Sequence, residues 1–249
     1  MFSKITNIDV AMSQVGAGSV VMISEFVGAG EPLCCIEWLQ NNGVSNLTLI
    51  TNTAGMPGGF GKAKLFENGQ IDRLIGSHVG TTLESTTQYL NDRLLIKEFY
   101  PMGTWAEKIR AGGVGLGGVL VPVGVGILDQ PGLFRQLDGA KRKVELDGRD
   151  YLLEAAITAD VSIIKGYRAD PMGNVEFRYT STQNQKDMAM AGRYTIVEVN
   201  EIVEVGDIPA ERVGCPGVFV DAVVQGKPLQ TQHEHYRTHW IKTGRLSTV

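Results

Sequence analysis

The sequence predicts an α/β fold: a mostly parallel open sheet flanked by helices, with a small β excursion near residues 124–153. Three observations carry this expectation. Short apolar runs alternate with helical patterns through the first 120 residues. The runs are nearly continuous in apolar character, as strands buried on both faces are. Glycine makes up 31 of 249 residues, about 12% against a usual ~7%, which implies many tight turns or close backbone approaches.

Taken in order, the strand candidates of the first half are 19–23, 47–51, 73–77, 94–99 and 118–123. Helix candidates lie between them at 32–42, 61–68, 83–92 and 104–111. The first helix stops at "NNG" (41–43), a sequence that favours a left-handed cap. The third starts after Thr81 and Thr82, either of which can cap, with Glu84 in the first turn. This rhythm predicts a parallel sheet with right-handed crossovers. It breaks at 124–153, where turn signals fall at Gln130–Pro131–Gly132, Asp138–Gly139 and Asp147–Gly148. Strand character returns at 159–170, and "PMGN" (171–174) turns into 175–180. A helix near 184–191 leads to a strand over 193–203. Residues 1–221 read as one domain; 222–249 read as a polar, peripheral C-terminal tail.

Composition narrows the function. Hydrophobic residues are 43% and charged residues 20%, an ordinary globular balance. A net charge of −4 gives no electrostatic case for nucleic acid. Adjacent Cys34 and Cys35 and a solitary Cys215 make no disulfide framework, which fits a reducing cytoplasm. The start "MFSKITNIDV" has no apolar signal core. The run 113–128 comes nearest to a membrane span, but its glycines and Pro122 argue against one.

Several motifs, in order, resemble one family. They are "GTWAEKIRAGGVGLGGV" (103–119), "ADVSIIKGYRADPMGNVEFR" (159–178), "AMAGRYTIVEVNEIVEVGDI" (189–208) and "CPGVFVD" (215–221). Together they are similar to the α subunit of family I coenzyme A transferases, the 3-oxoacid or short-chain fatty-acid type, from about residue 4 to about residue 221. The resemblance implies an enzyme of the CoA-transferase class that works with a β subunit in a hetero-oligomer. CoA and acyl-CoA are then substrates, with no other cofactor, metal, nucleic acid or membrane involved. The nucleophilic glutamate is expected on the β subunit, in a Ser-Glu-Asn-Gly type of turn. It attacks the acyl-CoA and passes through a mixed anhydride to a glutamyl-CoA thioester. Rival readings are a regulatory or scaffold homologue without activity, and an acyl-CoA hydrolase or lyase subunit on the same fold.

The family's G-G-F-x-x-x-G-x-P loop is altered here. Ser24 and Glu25 replace the paired glycines, while Phe26, Gly30 and Pro32 keep their places. The loop leaves a strand and enters a helix, whose free N–H groups suit an anion or carbonyl oxygen. Glu25 repels a phosphate placed beside it, so the CoA phosphates are expected elsewhere. Glu25 itself is either a nucleophile or a carboxylate that shapes the pocket or pairs with a basic residue. The lack of a second motif nearby favours the latter.

By resemblance, the substrate- or CoA-binding candidates are Phe26, Gly28, Gly30, Asn52, His78 and Met102. Asn52 ends a strand in "TNTAG" (51–55) and faces the ligand in the family; a plain turn asparagine is the other reading. His78 in "SHVGTT" (77–82) holds the family's aromatic position, and Met102 in "PMG" replaces a glutamine, losing an amide donor and acceptor. Glu25, His78 and Met102 together point away from acetoacetate or succinate, or to a loosened function. "FENGQI" (66–71) copies Glu-Asn-Gly, but Glu67 follows a helical pattern rather than a strand, so it reads as a helix end with Gly69 as its cap. "GGVGLGG" (112–118) follows a helix and precedes a strand, the reverse of a dinucleotide loop. His233, His235 and His239 have no carboxylate or cysteine cluster to complete a metal site and read as a solvated tail. Cys34 and Cys35 read as small residues of the first helix.

Overall fold

The computed structural model describes residues 3–131 and 141–247. Strands β1 (Val20–Ile23), β2 (Leu47–Thr53), β3 (Ile71–His78) and β4 (Leu95–Phe99) pair in parallel, each with the next. Helices α2 (Leu33–Asn41), α3 (Ala63–Glu67) and α4 (Leu83–Leu90) connect them, after a short α1 (Ile8–Met12) that no sequence pattern announces. α5 (Met102–Gly113) then leads away from the sheet. The chain returns in β8 (Ala159–Ala169), which pairs in parallel with the other side of β1. α6 (Gln185–Ala191) carries it on to β10 (Gly192–Ile202) and then to β11 (Ala222–Gln225). The order among the described residues is β11-β10-β8-β1-β2-β3-β4, with the two-residue β9 (Val175–Glu176) antiparallel to β8.

Alternate residues of one strand feed two different cores, which is why the runs read as apolar throughout. Val21, Ile23 and Leu49 join Met12, Ile36, Leu39 and Phe66 on one face. Met22 and Ile50 join Trp105, Ile109, Met188 and Val197 on the other. Such strands have no solvent face, so their period-2 signal disappears. Thr82 caps α4 by accepting from Ser85 N at 3.2 Å, as its sequence position suggests.

Three expectations need correction. The run 118–123, expected in the parallel sheet, forms β5 (Gly118–Val121). It lies antiparallel to β7 (Arg149–Ala155) in a separate three-stranded sheet with β6 (Lys143–Leu146). β5 is only half-buried, and an antiparallel sheet tolerates one wet face where a parallel one does not. The strand expected over 175–180 stops at Glu176 and gives way to a 3-10 turn over Tyr179–Thr182. The segment 222–249, expected to be peripheral, contributes the edge strand β11 and a helix α7 (Leu229–Lys242) that returns over the sheet's C-terminal edge. Of the turn signals, Asp147–Gly148 forms the β6–β7 hairpin, with φ of 50° and 74°. Asp138–Gly139 and Gly132 lie outside the described residues.

The small sheet is tied to the body by a buried charge cluster. Glu154 Oε2 of β7 accepts from Lys108 of α5 at 3.0 Å and from Lys141 at 2.8 Å. Both ammonium groups also sit over the Tyr100 ring, 4.0 and 3.9 Å from its centroid.

Candidate functional site

Strand order reverses at β1. From β1 the chain steps outward through β2, β3 and β4; through β8 and β10 it steps the other way. Such a reversal opens a crevice beyond the C-terminal strand ends, where open α/β sheets bind ligands. The loop 24–31 leaves β1 at this point.

Glu25 organises that loop from inside. It is 2% exposed. Its Oε2 accepts from Gly28 N at 2.8 Å, and its Oε1 accepts from Thr53 N at 2.7 Å. Thr53 Oγ1 donates to the same carboxylate, and Lys62 Nζ lies 2.8 Å from Oε1. Lys62 is itself fully buried and also donates to Thr51 Oγ1 at 2.8 Å. Glu25 therefore pairs with a basic residue and is saturated with donors. A carboxylate so held has no free lone pair directed at a substrate.

The loop has a fixed shape. Phe26 and Ala29 exchange backbone hydrogen bonds at 2.9 and 3.0 Å around Val27 and Gly28. Both central residues have positive φ, 50° and 85°, as a type I′ turn needs. A β-branched residue there is strained by about 1–3 kcal/mol, so Val27 is held by its surroundings rather than by preference. Ser24 Oγ closes the base of the loop by donating to Gly30 O at 3.0 Å.

Glu31 completes a buried triad. Its Oε1 lies 3.8 Å from Lys62 Nζ, beyond hydrogen bonding. Burial pushes its carboxyl up to about 8, against the pull of the Lys62 ammonium; the nearby Glu25 charge adds to the rise. Space for it exists because residue 61 is glycine: a Cβ there, at φ +55°, would overlap Glu31 Oε2.

Of the other sequence candidates, Asn52, His78 and Met102 belong to β2, β3 and the start of α5, on the side of β1 away from β8. Asn52, one residue before the end of β2, is buried, and its Oδ1 accepts from Ser77 Oγ at 2.6 Å. Its Nδ2 is buried without a hydrogen-bond partner. Met102 joins them, its Sδ 3.8 Å from Ser77 Oγ. His78 stands exposed at the end of β3, and Phe26 is half exposed at the loop tip. Asn52 and Met102 thus come together around Ser77; Phe26, Gly28, Gly30 and His78 do not join that contact.

On the near side a cavity of about 360 Å³ opens between the loop, the ends of β8 and β10, and α7. Val27, Ala29 and Gly30 form one wall. Tyr236 and Trp240 of α7 form another, with Lys165 in the lining. α7 is fastened to the site: Tyr236 OH donates to Gly28 O at 2.6 Å, and His239 Nε2 donates to Pro57 O at 2.8 Å. Trp240 Nε1 donates to Met56 Sδ at 3.1 Å. The three histidines have separate neighbours, since His233 lines the cavity and His235 faces Lys227. Sequence reasoning missed Lys165 and the whole of α7. The signal available was the aromatic content of an otherwise polar segment, with Tyr236 and Trp240 at helical i, i+4 spacing.

Glu67 ends α3 and is exposed, with Gly69 at φ 66° just beyond it. Replacing Glu67 by alanine is expected to change stability by less than about 0.5 kcal/mol in a urea titration. A larger loss would mean that the side chain has a structural or catalytic partner.

Comparison with known proteins agrees with this architecture. The family model described as Coenzyme A transferase matches residues 5–226. The alpha subunit of a probable coenzyme A transferase from Bacillus subtilis (strain 168) is 40% identical over 229 residues, covering 92% of this chain and 96% of the relative. The alpha subunit of an acetoacetyl-CoA:acetate/butyrate CoA transferase from Clostridium acetobutylicum is 36% identical over 225 residues, covering 90% and 99%. Among solved structures, an acyl-CoA transferase from E. coli O157:H7 superposes with a TM-score of 0.80 at 21% identity. That match takes in 90% of this chain but 47% of the other, so the chain spans about half of that protein. Glutaconate coenzyme A-transferase from Acidaminococcus fermentans gives a TM-score of 0.76 at 20% identity, covering 90% and 76%. With the fold, the switch-point loop and these matches in agreement, the chain belongs to the coenzyme A transferase family.

Proposed function

We propose that this chain is the α subunit of a heteromeric CoA-transferase. It exchanges CoA between an acyl-CoA and a free short-chain or oxo carboxylate, with no further cofactor, in the cytoplasm. The observation that carries the reading is the near-complete coverage, at 40% and 36% identity, of relatives named as alpha subunits. The nucleophile is a glutamate of the partner β subunit. Two features of this chain support that assignment: Glu25 is locked by Lys62 and Thr53, and Glu67 lies on an exposed helix end.

The chemistry balances without outside reagents. The partner's glutamate carboxylate attacks the thioester carbonyl, and CoA leaves as thiolate, giving a mixed anhydride. The thiolate then attacks the glutamyl carbonyl, which releases the first carboxylate and leaves an enzyme thioester. A second carboxylate reverses the steps. This chain forms one wall of that site. Phe26, Gly28 and Gly30 supply the turn between β1 and α2. Asn52, His78 and Met102 lie at the ends of neighbouring strands and at the start of α5.

The test is CoA exchange between acetyl-CoA and a panel of short-chain and oxo carboxylates. The purified chain alone should give none; the chain co-expressed with its β subunit should give robust exchange. Hydroxylamine trapping of the complex should label a glutamate of the partner. Exchange by this chain alone, or trapping on Glu25, overturns the two-subunit reading.

A further inference from the structure

Three fully buried ionisable groups meet at the base of the loop 24–31, and their charges do not cancel. Glu25, Glu31 and Lys62 have no exposed side-chain surface, so two carboxyl groups share one ammonium. Lys62 Nζ is committed to Glu25 Oε1 at 2.8 Å and to Thr51 Oγ1 at 2.8 Å. Glu31 Oε1 is 3.8 Å away, and neither Glu31 oxygen has a hydrogen-bond partner. A buried carboxylate without donors, carrying a surplus negative charge, is costly, whereas a carboxylic acid carries no charge. The geometry therefore favours one proton on Glu31, in agreement with its raised carboxyl.

These groups sit where the loop is held. Lys62 immediately precedes α3, and its Nζ ties that helix to Thr51 of β2 and to Glu25 of the loop. Glu25 passes the restraint on through Gly28 N and Thr53 N. Gly28 O in turn accepts from Tyr236 OH of α7 at 2.6 Å. The charged and titratable groups facing Glu31 are Lys62 beside α3, Glu25 of the loop and Tyr236 of α7. Burial holds the Tyr236 hydroxyl well above its ordinary range, so that side chain stays neutral. A change of charge on Glu31 is therefore felt by Lys62 directly, and by the loop through Glu25.

We propose that Lys62 is a positioning residue for the switch-point loop and that a proton on Glu31 keeps it on Glu25. When that proton leaves to solvent, two carboxylates compete for one ammonium. Lys62 shifts toward Glu31, Glu25 loses its counter-charge, and Gly28 and Gly30 are no longer held against β2. CoA exchange then slows, because those two glycines belong to this chain's wall of the site. This role rests on the transferase reading for its effect on activity, but not for the movement of the loop.

Two measurements test it. The first is kcat/KM for CoA exchange by the complex with its β subunit, at about pH 7 and about pH 9. With the Glu31 carboxyl at about 8, native activity should fall roughly tenfold between them. In Glu31→Gln the fall should be less than about threefold, because the amide does not ionise. A merely structural Glu31 would lower activity equally at both pH values. The second is amide hydrogen exchange of residues 24–31 in the chain alone, with rates corrected for the intrinsic effect of pH. Protection of this loop should drop roughly tenfold between the same pH values in the native chain and stay level in Glu31→Gln. An equal fall of activity in the native and variant complexes, or unchanged loop protection in the native chain, overturns the proposal. A native complex that exchanges no CoA at either pH overturns the transferase reading instead, and loop protection then decides the role of Glu31 by itself.

Discussion

Lys62→Met is expected to destabilise the chain by about 3–5 kcal/mol, the cost of stranding one member of a buried ion pair. Lys62 and Glu25 have no solvent-exposed side-chain surface, and they meet at 2.8 Å. With the ammonium gone, Glu25 keeps the donors from Gly28 N and Thr53 but no counter-charge. The double variant Lys62→Met with Glu25→Gln should recover part of the loss: a neutral amide needs no counter-charge, while its NH2 meets one of the two backbone N–H donors that Glu25 accepts from. The measurement is urea unfolding of the two single variants and the double variant, with m unchanged across the set. A loss below about 1 kcal/mol for Lys62→Met, or a double variant worse than the sum of the singles, would show that the pair does not hold the loop.

Glu31→Gln should stabilise the chain at alkaline pH and flatten its pH dependence. Burial raises the Glu31 carboxyl from 4.5 to about 8 in the folded chain. The unfolded chain releases that proton near 4.5, so between the two values the folded state binds more protons. Stability from this group is therefore full below about 4.5, falls as pH rises, and levels off above about 8. From about pH 5.5 to about pH 8.5 the decline is on the order of 3 kcal/mol, at about 1.4 kcal/mol for each unit of pH. Glutamine mimics the protonated acid and has no such slope. Urea midpoints of the native chain and the variant at the two pH values test this directly. Parallel pH profiles would mean that Glu31 ionises normally and that Lys62 serves both carboxylates as charges.

The parts of this protein that were legible in the sequence are those set by neighbours along the chain. Strands β1 to β3 appear as apolar runs because each feeds cores on both faces, and that demand is written residue by residue; the edge strand β4 is only partly covered. The Thr82 cap and the Asp147–Gly148 hairpin depend only on local backbone geometry, and both are found. The end of α3 at Glu67, with Gly69 beyond it, follows from the same short-range rules. Family membership was also legible, since the motifs of residues 103–119 and 159–178 stand in order along one chain.

What the tertiary structure alone decided is what depends on residues far apart in sequence. β5 has the apolar content of a sheet strand, yet its partner is β7, and pairing is a property of two segments rather than one. Glu25 is compatible, by sequence, with a nucleophile, a pocket wall or an ion-pair partner. The choice rests on Lys62, which only the folding of α3 against β1 and β2 brings within 2.8 Å. α7 has the sequence of a solvated tail because its apolar face is narrow. Tyr236 and Trp240 acquire meaning only against Gly28 and Met56, some two hundred residues earlier in the chain. Lys165 sits in an ordinary-looking strand, and its ion pair with Glu198 at 3.7 Å exists only because β8 and β10 lie side by side. Local propensity and pattern are encoded within a few residues of each other, whereas strand order, charge pairing and cavities arise from contacts whose partners no window of sequence contains.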